Sequence, residues 1–235
     1  MAKQRIWELD ALRGICILGM VLFHLLYDLT GMYHILPFGI PSGLLLLANY
    51  GTKVFLLLSG LCVTLGSHPV RRGLIVFAAG MACTFVTWLM CAFGFLGSTM
   101  VIRFGVLHCL GICMLLWPLL KKLPLPWLTV LGLLVIGIGI WWDSGNVRVD
   151  VQWFFPLGLR AHGFSSGDYF PLFPCLGWFL LGAVLGKTLY HKKQSLLPQP
   201  GFTAFFCLCG QHSLPIYLIH QPLFAAILFL LKELL

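Results

Sequence analysis

Charge is what this sequence has least of. Only 9% of its 235 residues are Asp, Glu, Lys or Arg, and seven are acidic, where an ordinary soluble domain carries roughly 25% charged residues. That scarcity excludes a water-soluble enzyme. With 60% hydrophobic residues and a mean hydropathy of +0.96, it leaves a polytopic membrane protein. No stretch is polar and long enough to form a separate soluble module, so residues 1–235 read as a single transmembrane domain. Metal-ligand spacing is also lacking. The nine cysteines include no C-x-x-C pair and sit mostly in apolar segments (Cys16, Cys62, Cys83, Cys91, Cys109, Cys113), as small hydrophobes do, so no metal is expected. A single basic patch is missing too. The net charge of +8 comes as short pairs at helix ends, which speaks for topology and against a nucleic-acid partner. No lipidation motif is present. The first apolar run lacks a small-residue cleavage site and holds Asp10, Arg13 and His24, so it reads as a retained helix, not a signal peptide. No convincing internal repeat is found.

What the sequence does have is apolar length. Spans long enough to cross a bilayer, roughly 20 residues, fall at 9–31, 45–67, 73–95, 101–120, 125–142, 171–190 and 205–231. The expected fold is therefore an all-α bundle of about seven transmembrane helices. Pro215 and Pro222 predict that the last span is kinked or in two pieces. Lys3, Arg5, Arg71, Arg72, Lys121, Lys122, Lys187, Lys192 and Lys193 fall on one side, against Arg148, Arg160 and Lys232 on the other. The bias places the amino terminus in the cytoplasm and, for seven spans, the carboxyl terminus outside. Gly182-x-x-x-Gly186, Gly132 and Gly137-x-Gly139 predict close helix approach.

Within the first span Asp10, Arg13, His24 and Asp28 fall on one helical face. Each charge near a bilayer centre costs about 2.5–3.5 kcal/mol, so such a stripe faces a bundle interior or watery cavity and marks function. Arg13 and His24 lie about 16 Å apart along the axis, which connects the two sides of the membrane. Asp28, one turn from His24, is the kind of carboxylate that sets a histidine's tautomer and raises its basicity. Lys53, Arg103, His108 and His220 are further intramembrane ionisable groups. Lys53 or Arg103 is the expected counter-charge for Asp28 or His24. Residues 143–170 form a long segment mixing Asp143, Arg148, Asp150, Arg160, His162 and Asp168 with Trp153, Phe154, Phe155, Phe164 and Tyr169. That mixture suits a sugar or headgroup, or equally an interfacial aromatic belt.

Leu9-Asp10-Ala11-Leu12-Arg13-Gly14-Ile15, followed by ten residues between Arg13 and His24, resembles the Arg-x10-His signature of membrane acyltransferases that modify envelope carbohydrates. Four further segments follow it: Val54–Gly60, Ile102–Gly111, Asp168–Leu172 and Gly210–Pro222. Together, in this order and over essentially the whole chain, the five are similar to small bacterial members of the heparan-alpha-glucosaminide N-acetyltransferase catalytic-domain family. The resemblance implies acetyl-CoA as co-substrate on the cytoplasmic side and an amino or hydroxyl acceptor on the far side of the cell (inner) membrane. It implies a multi-pass acyltransferase in which His24, assisted by Asp28, takes the acceptor's proton. Arg13 and Asp10 would meet the donor, with Lys53, Arg103, His108 and His220 as further binding groups. The eukaryotic branch has an Asn at the position resembling His24 and its histidine further along, so His34 is the rival base. Expected partners are membrane lipid, acyl-CoA and a carbohydrate or amine acceptor, a homodimer being left open. The alternative function is a transporter using Asp10, Arg13, His24 and Asp28 as a proton or substrate path.

Overall fold

The computed structural model describes residues 5–33, 35–147 and 149–234. They form eight α-helices with no strand beyond one isolated bridge: α1 (Trp7–Tyr27), α2 (Ser42–Leu65), α3 (Pro69–Ala92), α4 (Val106–Leu120), α5 (Leu125–Trp141), α6 (Leu172–Leu189), α7 (Ala204–Gln211) and α8 (Ser213–Leu234). Each of the seven expected spans lands on this order. A π-helical turn, Asp28–Met32, extends α1. Proline marks the starts: Pro69 opens α3 and Pro126 lies in the first turn of α5, where the missing N–H is no loss.

Among the described residues five helices, α1 with its π turn included, are long and apolar enough to cross a membrane, and α7 with α8 makes a sixth if the bent pair counts as one. The expected fourth span falls short, because α4 has 15 residues. Residues 101–105 instead lie extended beside 166–170, with Phe170 N–H donating to Phe104 O at 2.9 Å and Gly167 N–H to Val101 O at 3.2 Å. The last span is in two pieces, α7 and α8, bent by 73°. The break is at His212, not at either proline. Pro215 sits in the first turn of α8, where it is tolerated, and Pro222 stays inside the helix.

The chain divides into two compact units, Met1–Leu58 with Lys192–Leu235, and Ser59–His191. In the first, α1 packs against α7 with backbone on backbone. A Cβ at Gly14 would collide with the Phe206 carbonyl and one at Gly210 with the Asp10 carbonyl, so only glycine allows this approach. In the second, α3 packs on α4 and α5 on α6, around Leu128, Phe179, Leu180, Cys109 and Cys113. A Cβ added at Gly132 would lie 3.3 Å from the Gly177 carbonyl oxygen and one at Gly186 2.8 Å from the Leu61 carbonyl oxygen, as expected of packing glycines, whereas one at Gly137 would meet open space. Large apolar side chains stand exposed on the helix surfaces, among them Leu74, Phe85 and Trp88 on α3. That is the reverse of a soluble helix and fits a lipid-facing one.

Candidate functional site

In the first unit the polar face of α1 meets the chain around the α7–α8 break, one residue after another. Asp10 accepts from Arg5 Nη1 at 3.4 Å and from Gln211 Nε2 at 3.2 Å. One turn on, Arg13 Nη2 donates to Ser213 Oγ at 3.1 Å. About three turns further, His24 Nδ1 and His220 Nε2 are 2.7 Å apart. Asp28, 4% exposed at the start of the π turn, has the Gln221 side chain beside its carboxylate. Beyond it the Tyr33 hydroxyl is directed at the Ala225 carbonyl, 3.5 Å away. Burial and the nearby Asp28 push the Tyr33 phenol above its ordinary value, which keeps it a neutral donor. Partner numbers rise together on both sides, so α8 runs in the same sense as α1.

This line exists because Gly14 and Gly210 let the α1 and α7 backbones touch, which brings Gln211 and Ser213 to Asp10 and Arg13. At the same end Trp7 Nε1 donates to Leu197 O at 2.8 Å and the Leu196 N–H to Glu8 Oε1 at 2.6 Å, so the start of α1 is held as well. Arg13 has five N–H donors and spends one on Ser213. No carboxylate pairs with it among the described residues, where the ion pairs are Arg5–Asp10 and Arg160–Asp143. A guanidinium in an apolar helix with donors to spare is suited to an anionic or carbonyl ligand.

The expected orienting group of His24 is corrected. Asp28 makes no hydrogen bond to His24, whose ring is held by His220 instead. The two imidazoles lie nearly coplanar, their planes 14° apart and centroids 5.0 Å apart. That separation is what an in-line N–H···N contact produces, one ring radius beyond each nitrogen, so this is a hydrogen bond along both lone-pair directions and not a face-to-face stack. His220 Nδ1 continues to the Tyr217 carbonyl at 2.7 Å. Nε2 of His24 makes no hydrogen bond among the described residues.

The expected counter-charges are placed elsewhere. Lys53 Nζ lies over the Tyr50 ring, 4.9 Å from its centroid, one turn back on its own helix, and not against Asp28. Arg103 lies over Phe164 at 5.6 Å and its backbone N–H donates to Ser166 Oγ at 3.0 Å. His34 and Arg148 lie outside the described residues.

His108 belongs to a second constellation, in the other unit. It is 2% exposed and sits in the first turn of α4, where its Nδ1 accepts the Gly105 N–H at 3.2 Å and its Nε2 is 3.2 Å from Thr84 Oγ1. Phe104 stacks on it and Phe77 meets it edge-on. Asp168 accepts the Val106 N–H at 3.2 Å, placing a carboxylate on the positive end of α4. Around them Phe104, Phe155, Phe164 and Tyr169 form an aromatic cluster. The Tyr169 hydroxyl donates to Phe155 O at 2.7 Å, and burial pushes that phenol up. Trp153 is 84% exposed. Residues 143–170 thus divide into a packed cluster and an exposed aromatic rim.

Gln211, Ser213 and Gln221 were not anticipated as site residues. Their signal was in plain view: three hydrogen-bonding side chains in an apolar span, inside the segment Gly210–Pro222. The sequence pattern of the family described as heparan-alpha-glucosaminide N-acetyltransferase, catalytic, matches residues 5–222. No curated protein and no solved structure matches the chain.

Proposed function

The chain belongs to the heparan-alpha-glucosaminide N-acetyltransferase catalytic family, and from that membership and the α1–α8 line we propose that it moves an acetyl group from cytoplasmic acetyl-CoA to an amino or hydroxyl group of an envelope sugar or related acceptor. Membrane helices and an acetyltransferase family fix the broad class. The residue roles are the proposal.

The observation that carries it is His24: a half-buried imidazole with one nitrogen engaged by His220 and the other making no bond among the described residues. A general base needs that arrangement, a held ring with a lone pair left over. In this reading Nε2 of His24 removes the acceptor's proton as its nitrogen or oxygen attacks the thioester carbonyl. Arg13, with Asp10 holding the same end of α1 in place, supplies N–H donors to the acyl-CoA. Asp28 and Gln221 close the other end of the line, and His34 is kept as the rival base. Lys53, Arg103 and His108 are engaged in ring or capping contacts, which gives them supporting rather than chemical roles.

The parallel course of α1 and α8 supports an odd number of crossings, which in this reading includes the short α4. With the amino terminus in the cytoplasm, it puts Arg13 on the donor side and Asp28 on the acceptor side. In membranes holding equal amounts of protein, His24→Ala is expected to lower transfer from labelled acetyl-CoA to an amino-sugar acceptor by about 1000-fold, within the usual worth of general-base catalysis. Full activity would exclude His24 and promote His34.

A further inference from the structure

We infer that His220 is a positioning residue that fixes His24 as the Nδ1–H tautomer and so leaves Nε2 bare. This rests on the reading of His24 as the base. The order of protons follows from the end of the chain of bonds. A carbonyl oxygen only accepts, so the contact to Tyr217 O at 2.7 Å requires the hydrogen on His220 Nδ1. A neutral His220 then has a bare Nε2, which accepts from His24 Nδ1 at 2.7 Å. The cationic alternative buries a charge in a residue 6% exposed without a carboxylate partner, since the ion pairs among the described residues are Arg5–Asp10 and Arg160–Asp143. The His220 ring is held by the edges of Tyr217 and Phe224, at centroid distances of 5.7 and 6.0 Å. It therefore presents Nε2 in a constant direction.

The same chain decides where a proton can go. It stops at an amide oxygen, which is too weak a base to pass a proton on, so a proton gained at His24 Nε2 leaves by Nε2. In the transfer, the acceptor heteroatom forms its bond to the acetyl carbon while its proton goes to Nε2. When the carbon–sulfur bond breaks, the electron pair stays on sulfur and Nε2 returns the proton to it, giving acetylated acceptor and free CoA thiol. One nitrogen serves as base and then acid. A proton that enters the His24–His220 pair has no exit at the Tyr217 carbonyl.

Solution or solid-state NMR of full-length protein carrying 15N-imidazole histidine, in lipid nanodiscs, reads the tautomer directly. The expected result is His24 protonated at Nδ1 and bare at Nε2, with a nitrogen–nitrogen coupling to His220 that disappears in His220→Leu. His24 protonated at Nε2 in the native protein overturns the inference, whether or not acetyl transfer is detected. Kinetics form the second arm, with acetyl-CoA and glucosamine as probes. His220→Leu should lower kcat by about 100-fold with the KM for acetyl-CoA unchanged, and His220→Gln, whose side-chain oxygen accepts from Nδ1–H, should recover about tenfold of that loss. Equal losses in Leu and Gln, or a loss confined to the amount of folded protein, would reduce His220 to a packing residue even with His24 essential.

Discussion

Two histidines, His24 between α1 and α8 and His108 at the start of α4, are each fastened by a ring nitrogen inside an apolar bundle. They differ in what is left over. His108 uses both nitrogens, one on the Gly105 N–H and one at Thr84, and is boxed by Phe104 and Phe77. His24 uses one, and the other is uncommitted among the described residues. The first pattern caps a helix and glues α3 to α4. The second keeps a lone pair available. On the proposed reading, two equally polar residues in equally apolar sequence separate into structure and chemistry by the count of satisfied nitrogens.

The largest effects should fall on opposite sides of that comparison. His24→Ala is expected to cost about three orders of magnitude in turnover with the melting temperature in detergent essentially unchanged. A matched fall in stability would erase the distinction. His108→Ala should act through stability, by about 3 kcal/mol, since it leaves a void and strands the Gly105 N–H; thermal unfolding of the purified protein measures it, and an unchanged midpoint would mean that the capping contacts carry little. Next in size, Arg13→Ala should raise the KM for acetyl-CoA about tenfold, the worth of one charge-assisted contact, with Arg13→Lys between. An effect on kcat alone would move Arg13 from donor binding to the chemical step. The smallest is Asp168→Asn, which removes a negative charge from the α4 N-terminus at a cost of about 0.5–1 kcal/mol, read in the same unfolding assay. A fall in transfer with stability intact would bring the second constellation into function after all.

Much of the molecule was legible along the chain because the relevant physics is local. Twenty apolar residues make a span wherever they occur, and the spans at 9–31, 45–67, 73–95 and 125–142 each coincide with a helix. The stripe on α1 followed from periodicity, and it does carry the polar line. The errors have a common source. The fourth span was drawn too long because residues 101–105 are as apolar as a helix start, and only the pairing with 166–170 holds them extended. The break in the last span was assigned to proline and falls instead at His212.

The sequence by itself determined the environment and the ingredients: a bilayer as solvent, since too few charges exist to cover the surface in water, and a set of ionisable groups on one face of α1. Tertiary structure decided the pairing. His24 is joined to His220 across 196 residues of sequence because α1 and α7 touch at Gly14 and Gly210 and the 73° bend sends α8 alongside α1. Asp28, four residues away on the same helix, was the nearer candidate and lost. Proximity in sequence sets which groups share a face, but hydrogen bonds are short and directional, and which lone pair they meet depends on how two helices cross.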